Sequence, residues 1–381
     1  MHDLGLTIFS GLGMVLVLLP LPMHLRAGNA GTVFNIAWLF AGNLVFFVNT
    51  IIWWDSDANI APVWCDISIK ILNGLQVGLS ASVLCINRRL ANIATSPNVV
   101  TAHRRKRVDL AIDIILCTAV PGLAMVCAFV VQPHRANILE GYGCLYPVWS
   151  SWLAVILVFA WPPIISLVSA VYGVIAIRFF LSRRLQFQSL LKSSHSGLDT
   201  SQYLRLICLA GTELVIALPL NLWVLAANVS TLQPWTSWYE VHYNWSNIIS
   251  IPASYISQAP SLAVANAVPR YLVTSSSIVF FIFFGVSEDA MGEYIRWGRR
   301  ASTGLARIRS GRQQSLPAFA PRLGSTVTTA AGPISVDQQQ FDNKSRDLDE
   351  EYRQRSYDDI ATLEPNRPGF AIAVKVEREV V

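Results

Sequence analysis

The sequence predicts an all-α membrane protein: a seven-transmembrane helix bundle with the N-terminus outside and a disordered cytoplasmic C-terminal tail. Three observations lead there. Seven apolar runs fill the first three quarters of the 381-residue chain, each close to the roughly 20 residues a helix needs to cross a hydrocarbon core about 30 Å thick. Charge is sparse, with 53% hydrophobic residues, only 14% charged ones and a mean hydropathy of +0.43. The Lys and Arg residues between the runs sit almost entirely on alternate loops.

The runs span Leu4 to Leu21, Val33 to Trp53, Trp64 to Ile86, Leu110 to Val131, Trp149 to Ile177, Leu204 to Ala227 and Ala267 to Val286. Lys and Arg resist translocation and stay on the cytoplasmic side. The loops after spans one, three and five carry Arg26, then Arg88, Arg89, Arg104, Arg105, Lys106 and Arg107, then Arg178, Arg183, Arg184, Lys192 and Arg205. The other face has Arg135 and Arg270. Twelve bases against two place the N-terminus outside and the tail inside. No basic n-region precedes span one, so that helix is expected to insert by itself. Sequons at Asn244 and Asn228 fall on the outer side and one at Asn343 on the inner side; Asn244 is the expected glycan acceptor, and Asn228 lies close to the membrane.

Residues 1–286 form the membrane domain. Beyond it the chain carries 14 basic and 14 acidic residues, so the net +5 belongs to the domain. In residues 287–312, Ala290, Tyr294, Trp297, Ala301, Leu305 and Ile308 recur at helical spacing, with Arg296, Arg299 and Arg300 set off from them. That reads as a basic amphipathic helix on anionic lipid, or else as a weakly helical tail start without membrane contact. Residues 313–381, rich in Ser, Gln, Asp and Pro, read as disordered.

Among the six cysteines, only Cys65 and Cys144 fall on the oxidising side. They either form a disulfide that pins loop four-five over the bundle mouth or remain free thiols. Cys85, Cys117, Cys127 and Cys208 lie in spans and read as packing residues. The chain has no H-E-x-x-H, G-x-S-x-G or P-loop, and no Cys/His group at ligand spacing. No catalytic set, metal, cofactor or nucleic-acid partner is expected. Seven unrepeated spans also differ from the internal repeats of most secondary transporters; a transporter or channel and an orphan membrane scaffold are the alternatives to signal reception.

Ionisable residues inside spans are functional candidates by default. Lys70 lies about 9 Å along the third helix and Glu213 about 15 Å into the sixth, so the two could pair if those helices are neighbours. Otherwise Lys70 snorkels outward and Glu213 is neutral. Asn73 and Gln76 continue a polar strip below Lys70, whereas Asn43, Asn49 and Asn221 read as interhelical hydrogen-bonding residues. Asp113 follows Asp109 by one turn and faces the bundle or its cytoplasmic boundary. Pro162, Pro163 and Pro219 predict kinks, as a hinge or as static packing features.

Several segments together resemble a known family. They are Ile86-Asn87-Arg88-Arg89-Leu90, Trp161-Pro162-Pro163 through Leu167-Val168-Ser169-Ala170-Val171-Tyr172, Thr212-Glu213-Leu214, Phe283-Phe284-Gly285 and Val131-Gln132-Pro133-His134-Arg135. As a set they are similar to the fungal mating-pheromone receptors, a-factor-receptor branch, basidiomycete type, a class D group of G-protein-coupled receptors. The resemblance spans about residues 5 to 295. It implies a multi-pass plasma-membrane receptor for a lipidated (prenylated) peptide pheromone, signalling to a heterotrimeric G protein, with self-association left open. The Asp-Arg-Tyr and Asn-Pro-x-x-Tyr motifs of rhodopsin-like receptors have no counterpart, Asn87-Arg88-Arg89 standing in the first place.

Depth and polarity, rather than any family motif, nominate Lys70, Asn73, Gln76, Glu213, Asp55, Asp57, Trp235 and Trp238 as ligand contacts. Arg88, Arg89, Arg183 and Arg184 are the expected coupling surface, or else hold topology and touch anionic lipid. Asp3, Asp55, Asp57, Asp66, Glu140 and Glu240 against Arg135 and Arg270 make the outer rim acidic, suited to a cationic peptide body.

Overall fold

The computed structural model describes residues 3–95, 102–182, 205, 207–208, 211–258, 260–286, 290–292, 294–296 and 299. The chain divides into two units, Met1–Gly311 and Arg312–Val381, and the described residues all belong to the first. Most of the expected amphipathic segment, and all of residues 313–381, lie outside them.

In hydrocarbon a helix satisfies its own backbone, which is why the apolar runs fold as they do. Helix α1 (Leu4–Leu18, continuing as Leu21–Arg26) is capped by Asp3, whose Oδ1 accepts from the Leu6 N–H at 3.0 Å. Next come α2 (Ala30–Ile52) and α3 (Pro62–Thr95). Helix α4 comprises Ala102–Ile114 and Val120–Val130. Helix α5 comprises Trp152–Ala154 and Trp161–Ser182, α6 is Leu218–Val229, and α7 is Pro260–Phe284. Among the described residues, six segments are long and apolar enough to cross a membrane, and a shorter apolar stretch, Val215–Val229, holds the sixth place in order. Helix α3 runs nine residues past the expected Ile86, because Arg88 and Arg89 find partners inside the protein and do not end it. Helix α7 starts at Pro260, ahead of the expected Ala267.

Helix α3 is the centre of the bundle, packed against α2, α4 and α5, while α1 packs on α2 and α7. Close approach of α2 depends on Gly74 and Gly78 of α3. A Cβ on Gly78 would come within 2.2 Å of the Trp38 ring, so only glycine admits the indole there, while one on Gly74 would lie 3.2 Å from the ring and crowd the mobile tip of Met125.

Where proline removes a backbone donor, the helix widens ahead of it into a π turn. Ile115–Ala119 precedes Pro121, Val155–Phe159 precedes Pro162, and Glu213–Ala217 precedes Pro219. Each turn contains the residue four before the proline, whose carbonyl loses its helical donor and would meet the proline ring. At Pro121, which the sequence did not single out, the freed Cys117 carbonyl accepts from Trp38 Nε1 at 3.1 Å.

One end of the bundle carries a three-stranded sheet that the span pattern did not announce. Strands β1 (Ala136–Leu139) and β2 (Gly143–Leu145) form an antiparallel hairpin, and β3 (Ile248–Ile251), from the loop before α7, lies parallel to β1. Gly143, at φ +77°, turns the hairpin where a Cβ would strike Asn49 and Trp53.

Candidate functional site

The sheet is a lid, fastened at many points. Cys65, at the start of α3, is bonded to Cys144 of β2, with Cα atoms 5.5 Å apart. Arg135 forms a two-pronged ion pair with Asp66, at 3.0 and 2.6 Å; hydrogen bonding to that carboxylate, and its charge, raise the guanidinium above its ordinary value. Gly141 N–H donates to the Trp53 carbonyl at 2.7 Å, and Ser250 Oγ to the Asp57 carbonyl at 2.7 Å. Glu140 Oε2 accepts from the Ala253 N–H at 2.8 Å. Two of the six rim carboxylates, Asp66 and Glu140, therefore hold the lid. Asp55 is exposed and Asp57 half-buried.

Beneath the lid, Lys70 Nζ donates to Gln132 Oε1 at 3.0 Å and lies 5.8 Å from the Phe129 ring centre. Gln132 in turn donates to the Arg135 carbonyl at 2.9 Å. Lys70 thus reaches toward the lid, the snorkelling arrangement, and contributes to fastening it. The Glu213 side chain lies outside the described residues. Asn73 is buried and Gln76 half-buried. The asparagines bridge helices as expected: Asn43 donates to Ser277 Oγ at 2.7 Å, Asn49 accepts from Trp64 at 2.8 Å, and Asn221 donates to Ser166 at 2.9 Å.

The tryptophans of the loop before α7 divide. Trp238 stacks on His242 at 3.9 Å, and Trp245 sits edge-on to Phe129 at 4.8 Å, so an aromatic cluster borders the Lys70 site. Trp235 packs instead on Ala128, Val131, Ala154 and Val158. Asn244 is exposed beside this cluster, whereas Asn228 is in α6 and donates to the Val224 carbonyl at 2.8 Å.

Arg270 differs most from its place in the sequence reading. Counted there among the bases of the outer rim, it is 5% exposed, because the lid residue Tyr142 and Phe46 of α2 cover its faces at 5.0 and 5.8 Å. Burial pushes the Tyr142 phenol up, Asp3 adds to this, and Arg270 opposes it. Nearby, Tyr271 Oη donates to Asp3 Oδ1 at 2.5 Å.

At the opposite end, Arg88 donates to Asp113 Oδ1 at 2.9 Å and lies 3.4 Å from Asp109 Oδ1. Arg89 donates to the Gly28 carbonyl at 2.7 Å. The arginine pair thus binds α3 to α4 and to the turn after α1, forming a latch; Arg183 and Arg184 lie outside the described residues. Asn87 donates to Ser169 Oγ of α5 at 2.9 Å. The i, i+4 spacing of Asp109 and Asp113 was the available signal for the latch, but which helix it faced was not legible. Midway along, an apolar groove of about 520 Å³ opens between α3, α4 and α5, lined by Leu84, Leu116, Val120, Ile156, Trp161 and others.

A lid at one end, a latch at the other and bridging asparagines between define a multi-pass helical membrane protein. The model of the Pheromone A receptor (STE3) family matches residues 5–303, and the chain belongs to that family. It is 40% identical over 296 residues to the Pheromone B alpha 1 receptor of Schizophyllum commune, covering 77% of this chain and 46% of that protein. With Pheromone receptor 1 of Mycosarcoma maydis it shares 33% identity over 288 residues, 75% of this chain and 81% of that protein. The Pheromone a factor receptor of Saccharomyces cerevisiae is 25% identical over 299 residues, 77% of this chain and 61% of that protein. The chain spans about half the length of the Schizophyllum relatives.

Proposed function

We propose that the chain is a plasma-membrane receptor for a lipidated (prenylated) peptide mating pheromone, passing ligand binding to a cytoplasmic heterotrimeric G protein. Family membership across the whole bundle carries this reading. The geometry supports it: a lid held by Cys65–Cys144 and Asp66–Arg135 at one end, and the Arg88–Asp113 latch at the other, joined by α3. Ligand enters at the lid, α3 and the kinked helices shift, and Arg88 leaves Asp113. Arg88 and Arg89, with Arg183 and Arg184, then face the G protein. An exposed Asp55 and the aromatic cluster at Trp238 receive the peptide and its lipid.

The deciding measurement is nucleotide exchange on Gα in cells lacking their own receptor, against a panel of lipidated peptides. A subset of the panel activates; silence across it with normal surface expression defeats the reading. A prenyl chain gains about 0.8 kcal/mol per buried CH₂, so removing the lipid is expected to weaken activation severely. Joint D55N and D57N changes weaken it modestly and mainly at low salt; a salt-independent loss marks direct contact. The R88K/R89K pair keeps charge but loses the guanidinium fork, and is expected to lower ligand-stimulated exchange at normal surface level.

A further inference from the structure

Arg270 is a buried cation with too few partners. It lies seven residues, about 10 Å by helical rise, inside Ala263, where the apolar stretch of α7 begins. Its Nη1 donates to the Asn266 backbone carbonyl and lies 3.5 Å from Asn266 Oδ1. The ring faces of Tyr142 and Phe46 cover the guanidinium plane. Its Nη2 is buried and has no hydrogen-bond partner among the described residues. Among the described residues no carboxylate forms an ion pair with it; Asp3, which acts on it at longer range, takes Tyr271 Oη and the Leu6 N–H on its Oδ1.

A guanidinium removed from water is retained where ion pairs and hydrogen bonds offset the lost hydration. Arg88 meets that condition with the carboxylate of Asp113. Arg270 meets it only in part, with donors left over. The groups around it belong to four elements that a ligand entering under the lid would separate: Asp3 at the start of α1, Phe46 of α2, Tyr142 of the lid, and α7 itself.

We infer that Arg270 is the recognition residue for a carboxylate of the incoming peptide, borne by an acidic side chain or a free C-terminus, which completes the guanidinium through Nη2. This deepens the proposed function and rests on it. A carboxylate fits better than an amide because it supplies the missing charge as well as the acceptor, and planar guanidinium binds it in two-pronged fashion. Lysine has no such fork, so R270K keeps the charge and loses part of the recognition.

The test uses the full chain in lipid nanodiscs. Without ligand, R270M keeps the side-chain length and removes a charge that the empty site leaves under-paired. It is expected to raise Tm by about 2–4 °C, whereas a structural arginine gives a fall of that size, which overturns the inference. With ligand, lipidated peptides are compared in which each Asp or Glu becomes Asn or Gln, or the C-terminal carboxylate becomes an amide. In the unaltered receptor one of these changes is expected to lower potency at least tenfold, identifying the source of the carboxylate. R270Q levels that discrimination and R270K retains part of it. Discrimination that persists in R270Q overturns the inference. If no peptide activates the unaltered receptor, the receptor reading falls, and the ligand-free Tm still decides Arg270.

Discussion

Trp38 lies across Gly74 and Gly78 and donates to the carbonyl that Pro121 frees, so one indole joins α2, α3 and α4. Each partner makes sense only with the others. The glycines give the ring its bed, and the proline leaves an acceptor for the ring nitrogen. Gly78→Ala puts a methyl group into the indole, and is expected to cut the folded receptor reaching the cell surface by more than Trp38→Phe, which loses one hydrogen bond, about 1 kcal/mol. Fluorescence-detected size exclusion on both variants measures this; equal yields remove the steric argument. Cys65 and Cys144, 79 residues apart in sequence, close a long loop. Chain entropy assigns such a loop roughly 4 kcal/mol, so Cys144→Ser is expected to lower Tm by several degrees and abolish ligand response. A response equal to the parent's makes the bond dispensable. Topology singled out the two cysteines but left a bond or free thiols open, and the structure shows the bond. The Trp38 contact was not legible, because nothing in a tryptophan's sequence position tells which carbonyl on another helix will be orphaned.

At the scale of elements, three helices among the described residues carry a π turn ahead of a proline. Two of the three prolines, Pro162 and Pro219, were singled out from the sequence. The widened turns follow from the i−4 carbonyl that each proline displaces. The latch is the second feature of this scale. Arg88 is 14% exposed and Asp113 7%, so their contact is screened less than a surface pair. Asp113→Asn keeps the shape and removes the charge. It is expected to raise ligand-independent nucleotide exchange several-fold, while Arg89, held by the Gly28 carbonyl, stays in place. Unchanged basal exchange, at normal expression, would show that the latch only stabilises the fold. The basic run at Arg88 and Arg89 was legible as an inner-loop signal. Its engagement with α4 was not, since an arginine that orients a helix by charge can also pair within the bundle.

For the whole molecule, orientation is the property on which the assignments of lid and latch to outside and inside depend. The bases on alternate loops place the lid outside, where Asn244 is exposed and Asn228 is occupied within α6. Endoglycosidase mobility shifts are expected to be lost in Asn244→Gln and kept in Asn343→Gln; a glycan on Asn343 reverses the topology. The sequence by itself determined that the chain is helical and membrane-embedded and where its apolar helices run, because hydrocarbon thickness and backbone satisfaction leave an apolar run few alternatives. The tertiary structure alone decided which partners the charged residues of the bundle take. It turned Lys70 to Gln132, joined loop four-five to the loop before α7 as a sheet, and buried Arg270 beneath Tyr142. These outcomes depend on which helix faces lie together. A sequence fixes each helix's apolar length, whereas the facing side is chosen by packing among all seven at once.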